Sequence, residues 1–349
     1  RQDRILQGRM STSRVALSPR MASEIRPGDT VQESQMNLWP HQAQAIDYIG
    51  KNSIERSGRS LVVMPPGAGK SEIAVVALLE WLRRSVSNRA ILCVPSKRLL
   101  GQFYSRLVTL TREPIGFEQG MRRAGSSARI VLASQPSLIG RMGKFANENS
   151  MLICDEVHHS NYDAPEFHRV LSGFRRCIGL SATPWTNGIT KIFRDCFFYG
   201  LSDAIADKII CPIAIEQSSN LSLSGQTHTI VFVASNAAAK ELSSNYADSD
   251  WIGYSRDVNT NLSTLDKWRH HQIKTLFVNR MLLEGYDTPE TMEVWIDHEV
   301  RSVVMCAQIM GRALRYKPGK VARLCVLSDA TLSAARQALV RMDVRPTDP

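Results

Sequence analysis

Leu61-Val62-Val63-Met64-Pro65-Pro66-Gly67-Ala68-Gly69-Lys70-Ser71 reads as a short apolar strand, a tight Pro/Gly turn and the start of a helix. The helix is expected to run from about Ser71 to Arg84. Its apolar stretch, Ile73 to Leu82, is interrupted by Glu80 and is too short to span a membrane, so it is read as the buried helix behind the turn. Such a turn points successive backbone N–H groups inward, and the helix behind it presents its positive end. Pro66, Gly67, Ala68 and Gly69 would cradle phosphates, Lys70 would reach the β- and γ-phosphates, and Ser71 would hold Mg²⁺. The first position of the G-x-x-x-x-G-K-[ST] pattern is Met64 rather than glycine. A glycine-rich βα turn with an incidental lysine is the bland alternative, and the flanking sequence bears on it.

Downstream, apolar strands alternate with helical segments, and each strand ends in polar residues. Ala90–Pro95 runs into Ser96-Lys97-Arg98, and Arg129–Ala133 runs into Ser134-Gln135. Met151–Cys154 ends at Asp155-Glu156, and Cys177–Leu180 ends at Ser181-Ala182-Thr183. This is the pattern of a parallel, doubly wound sheet with its site at the carboxyl ends of the strands. Asp155 would anchor Mg²⁺ and Glu156 would orient and deprotonate water. A second series follows: Thr229–Val233, Thr275–Val278, Glu293–Ile296 and Ala322–Leu327, with a helical run from about Ser302 to Arg315. It has no phosphate loop of its own. The expected organisation is a flexible basic arm (1–34), a first domain (35–205), a linker (206–226) and a second domain (227–349).

Upstream of the loop, Trp39-Pro40-His41-Gln42 opens a helix with Pro40 in its first turn. Gln42 is a candidate base reader, because an amide pairs bidentately with the N6/N7 edge of adenine. The net charge of +10 points to a polyanionic partner. Basic residues recur as pairs, among them Lys97-Arg98 and Arg122-Arg123. The seven cysteines form no C-x-x-C pair, so small buried thiols are expected rather than a zinc site or disulfides.

With these motifs assembled, the chain resembles a superfamily-2 helicase of the DExH type over roughly residues 36–328. The resemblance rests on Trp39-Pro40-His41-Gln42, Pro66–Ser71, Val94-Pro95-Ser96-Lys97, Ala133-Ser134-Gln135, Asp155-Glu156-Val157-His158 and Ser181-Ala182-Thr183. In the second half it rests on Phe232-Val233-Ala234-Ser235, Glu284-Gly285-Tyr286-Asp287-Thr288-Pro289 and Gln308–Arg315. The variant Asp-Glu-Val-His-His is most similar to DNA repair helicases and restriction-enzyme motor subunits. The resemblance implies two tandem RecA-like domains, an α/β P-loop NTPase fold with parallel sheets, and ATP with Mg²⁺ between the domains. It implies that Gly285 and Asp287 assist nucleotide binding, and that Gln308 and His158 belong to the catalytic set. It implies that Ser181 and Thr183 couple the two activities. Ser96, Lys97, Arg98, Ser134, Gln135, Ser235 and Asn236 would touch a nucleic-acid strand, DNA favoured over RNA. It also implies a protein working inside the cell, cytoplasmic or nucleoid-associated, without a membrane and with room for accessory protein subunits.

Arg312 and Arg315 have a physical logic of their own. Three apart on one helix, they would share a face. A planar guanidinium suits the charge of a transferring phosphoryl group. Two rival functions stand beside an unwinding motor: a translocase that follows duplex without opening it, and an ATP-gated clamp or sensor that does not turn over.

Overall fold

The computed structural model describes residues 37–158, 165–185, 189–193, 196–283, 288 and 290–346. The basic arm, His159, Gly285 and Asp287 lie outside the described residues.

The first sheet has strands β1 (Arg59–Val63), β2 (Arg89–Val94), β3 (Ile115–Glu118), β4 (Ile130–Ser134), β5 (Ser150–Cys154), β6 (Arg176–Ser181) and β7 (Cys196–Phe198). Their order is β3-β4-β2-β5-β6-β1-β7, and every neighbouring pair is parallel. Period-two alternation sends successive side chains to opposite faces. Val62, Leu92, Leu132 and Ile153 enter one core with the helices Lys70–Arg83 and Lys97–Leu110. Leu61, Cys93, Val131 and Leu152 enter a second core with Phe167, Val170 and Leu171 of the helix Pro165–Gly173. A strand buried on both faces must be apolar throughout, which is why β2 and β5 read as continuous runs.

The second sheet has strands β8 (Ile213–Gln217), β9 (Thr229–Phe232), β10 (Ser249–Ile252), β11 (Thr275–Val278), β12 (Glu293–Ile296) and β13 (Ala322–Val326). The order is β10-β11-β9-β12-β13-β8, again all parallel. One apolar cluster runs unbroken from the first sheet through Tyr199, Leu201, Ala204, Ile210 and Cys211 into Ala313 and Leu314 of the second.

Two expectations need correction here. The stretch 206–226 is not wholly a linker, since Ile213–Gln217 is the edge strand of the second sheet, in register with Ala322–Val326. Ile213 and Ile215, both half-buried, pack against the main core, and that alternation gives the strand its inward face. The helical run ends at Met310 rather than Arg315. Ser302 caps its start by accepting from Met305 N–H, and Gly311 closes its end. Arg312 therefore lies in the turn beyond the helix and Arg315 in an isolated bridge to Ile210, so the two do not share a helical face.

Candidate nucleotide site between the two sheets

The loop after β1 turns on two residues in the left-handed region, Gly67 (φ 90°) and Gly69 (φ 85°). Only glycine adopts that backbone without strain. Lys70 is buried, and its Nζ donates to Met64 O (3.1 Å) and Pro65 O (3.3 Å). Burial lowers the Lys70 pKa, the carboxylates of Glu156 and Asp155 oppose that, and Arg315 and Arg312 add to it. Both acids and both arginines therefore sit within electrostatic reach of one ammonium group.

The helix Pro40–Ile49 flanks the loop. Gln42 Oε1 accepts from Trp39 N–H (2.8 Å), and its amide nitrogen donates to Gly69 O (3.3 Å). One N–H and one lone pair of the amide remain for a ligand. His41 was not singled out in the sequence, yet its Nε2 lies 3.0 Å from Ala68 O and its ring stacks on Tyr199 at 4.3 Å. The readable signal was its place one residue before Gln42.

At the end of β5, Asp155 is buried and accepts from Glu156 N–H (3.0 Å). Glu156 takes a left-handed backbone (φ 49°), which redirects the chain as it leaves the strand. A non-glycine residue held there stores backbone strain at the end of the strand. His158 Nδ1 lies 3.3 Å from a Glu156 carboxylate oxygen and 2.9 Å from Ser181 Oγ. Ser181 Oγ also accepts from Thr183 N–H (2.9 Å). His158 Nε2 lies 2.9 Å from Gln308 Nε2, a residue of the second sheet's domain. With the amide donating to Nε2, the neutral ring carries its proton on Nδ1, directed at Glu156 and Ser181.

The second domain closes the site from the other side. Arg315 Nη1 donates to Gly67 O (2.8 Å), and the Arg315 backbone bridges antiparallel to Ile210. Arg312 Nε donates to Gln308 O (3.4 Å), and Arg312 O accepts from Thr288 Oγ1 (3.0 Å). The turn and the bridge after it replace the helical face expected from sequence; Arg315 contacts the phosphate loop and Arg312 lies within electrostatic reach of Lys70.

The expected strand contacts are less uniform. Ser96 and Ser235 spend their hydroxyls as helix caps, accepting from Leu99 N–H (3.3 Å) and Ala238 N–H (3.1 Å). Lys97 is exposed. Arg98 is partly buried, and its pKa is lowered to about 10, first by desolvation and then by Arg269. Asn236 is partly buried. Ser134 is buried, with its Oγ 3.0 Å from Ser137 Oγ, and Gln135 is fully buried. Gln135 is the first residue of a short helix, Gln135–Ile139, tucked under the end of β4, so neither residue presents a surface to a strand. Among the described residues, no helix is long and apolar enough to cross a membrane, and no cluster of metal-ligating side chains of the His/Cys/Asp/Glu type is present.

Residues 35–186 match the family described as type III restriction enzyme, res subunit. A DNA 3'-5' translocase XPB2 from Sulfurisphaera tokodaii is 25% identical over 156 residues, covering 44% of this chain and 32% of that protein. The ATP-dependent Type ISP restriction-modification enzyme LlaBIII bound to DNA superposes with a TM-score of 0.71 at 15% identity, over 91% of this chain and 30% of that one. S. cerevisiae Dbp5 bound to RNA and ADP BeF3 superposes with a TM-score of 0.60 at 14% identity, over 89% and 93%. The chain thus spans about a third of the translocase and of the restriction enzyme. The structural likenesses establish a fold of two RecA-like sheets.

Proposed function

We propose that the chain is a motor of the superfamily-2 helicase type that hydrolyses ATP to drive movement along nucleic acid, DNA in preference to RNA, a reading supported by its two-sheet core and by the res-subunit match over residues 35–186. The observation that carries the reading is the hydrogen bond from Arg315 to Gly67 O, made by one domain to the phosphate loop of the other. A site completed by both domains ties hydrolysis to domain closure.

The residues present fit ATP and Mg²⁺. Two left-handed glycines open the cradle, a buried lysine faces it, and a buried aspartate lies within reach of that lysine. Pro66, Gly67, Ala68, Gly69 and Lys70 would hold the phosphates, with Gln42 reading the base through its remaining amide groups. Ser71 and Asp155 would hold the metal ion, which when bound neutralises phosphate charge. Glu156 takes the proton of the attacking water. His158, fixed by Ser181 and Gln308, orients Glu156. Arg312 and Arg315 stabilise charge in the transition state. Gly285 and Asp287 are proposed to assist from the second domain, and Thr183 to pass the state of the site onward. Lys97, Arg98 and Asn236 are proposed to contact the strand, with Ser96, Ser134, Gln135 and Ser235 shaping the surfaces beneath it.

The test is ATPase rate measured with single-stranded DNA, duplex DNA and RNA. Stimulation by DNA above RNA is expected. A rate indifferent to all three overturns the reading. Strand-displacement and triplex-displacement assays then separate unwinding from translocation along duplex.

A further inference from the structure

Between Gln119 and Asn147 the sequence holds five Lys or Arg residues and no acid. Arg129 pairs with Glu113, away from the others. Three of the remaining four gather around Glu118, the last residue of β3, whose carboxylate is fully buried. Arg141 pairs with it closely, Arg123 lies at 3.5 Å and Lys144 at 3.9 Å. Arg122 instead lies over the Phe117 ring, 5.4 Å from its centroid, and Tyr104 packs against the same ring at a tilt, 5.2 Å between centroids. Four cations against one carboxylate leave a surplus of positive charge on this corner of the first sheet.

Glu118 leads into a two-residue hairpin. Gln119 and Arg122 pair across it, and Gly120 (φ 55°) turns the chain. The turn is held from below. Gly120 N–H donates to Ser137 Oγ (2.9 Å), and Gly120 O accepts from Arg141 (2.6 Å) and Arg123 (3.1 Å). Ser137 is in turn bonded to Ser134. At the tip of this braced turn stands Met121, 94% exposed. An apolar side chain at that exposure contributes nothing to the core. The braced backbone beneath it fixes the point at which that side chain leaves the surface.

We propose that this hairpin is a contact for the opened end of duplex DNA. Arg122, Arg123 and Lys144 take backbone phosphates, and Met121 rests against the last stacked base step. Cations that track phosphates and an apolar side chain that wedges a base step are the two parts such a contact needs. The hairpin follows β3, next to β4 on the carboxyl edge that also carries Ser96–Arg98, so it lies beside the strand track rather than at the nucleotide loop. Ser134 and Ser137 acquire a role as positioning residues, because they suspend the turn. The inference rests on the nucleic-acid motor reading above.

The test uses the full chain, a fluorescein-labelled forked DNA and its single strand alone, titrated over a range of NaCl concentrations. The double variant Arg122→Ala, Arg123→Ala is expected to lower the salt slope of fork binding by about 2, since each lost phosphate contact removes about 0.9. Met121→Ser is expected to keep that slope and to lose several-fold in preference for the fork over the single strand. An unchanged melting transition in each variant reports an intact fold. Variants that match the unmodified chain in slope and in fork preference overturn this inference alone. If the unmodified chain binds neither probe, the motor reading falls as well.

Discussion

Gly311 lies so close to Pro66 that a side-chain carbon there would come within 2.5 Å of the Pro66 Cβ. The contact joins the turn carrying Arg312 to the loop carrying Lys70. Gly311→Ala is therefore expected to hold the domains apart. DNA-stimulated kcat should drop at least about tenfold, a loss of roughly 1.4 kcal/mol in the transition state. Nucleotide affinity of the first domain should change little. Steady-state ATPase kinetics beside nucleotide binding checks this, and an unchanged kcat would show that catalysis does not need the contact.

Lys70 and Glu156 have separable tasks. Lys70→Ala removes the cation that faces the cradle and is expected to weaken nucleotide binding. Glu156→Gln keeps shape but removes the proton acceptor, so binding should persist while turnover falls about 10²-fold or more. Fluorescent-nucleotide titration and single-turnover hydrolysis distinguish the two. Normal turnover in purified Glu156→Gln would remove Glu156 from its role.

His158 and Gln308 bond across the domain boundary at 2.9 Å. Their alanine variants should be non-additive in kcat/KM, with a coupling energy of about 0.5–3 kcal/mol, as expected for side chains in direct contact. Strict additivity in the double-mutant cycle would mean that the bond does not operate during turnover.

Glu80 is a buried carboxyl in the helix behind the phosphate loop, and neither of its oxygens has a hydrogen-bond partner among the described residues. Burial pushes its pKa up to about 7, against the pull of Arg84 and Arg83. The folded state thus holds a proton that the unfolded chain releases near pH 4.5. Its stabilising contribution is complete below that value and is lost as the pH rises through about 7. Glu80→Gln mimics the protonated form. It should raise Tm at pH 8 and leave it nearly unchanged at pH 5. Equal shifts at both pH values would show that Glu80 does not titrate in this range.

What could be read from sequence follows from how local each signal is. The loop residues Gly67, Gly69 and Lys70 and the acids Asp155 and Glu156 are contiguous with the strands that carry them, so spacing alone reveals them. The central strands are apolar on both faces, and they were legible for that reason. Ser249–Ile252 at the sheet's edge buries little beyond Ile252, and Ile115–Glu118 ends in a charged residue whose burial depends on Arg141, distant in sequence. Neither carries a signal in its own composition. Gln135 looked accessible because polarity implies a surface, whereas the short helix it opens encloses it. Arg312 and Arg315 were expected on one helical face, but Gly311 ends the helix before them.

The position of β1 within its sheet has a consequence for the order of assembly. It is made before the other six strands of its sheet, yet its two neighbours are β6 and β7, so it cannot gain a hydrogen-bonded partner on either edge until residues 176–198 exist. Closing so long a loop delays folding, as in other sheets built from distant pairings. At a synthesis rate of about 5–20 residues per second, the strand bearing the phosphate loop waits roughly 6–30 s on the ribosome after its own synthesis. The loop after β1 is thus translated before the rest of its sheet and is among the last parts of that sheet to be enclosed.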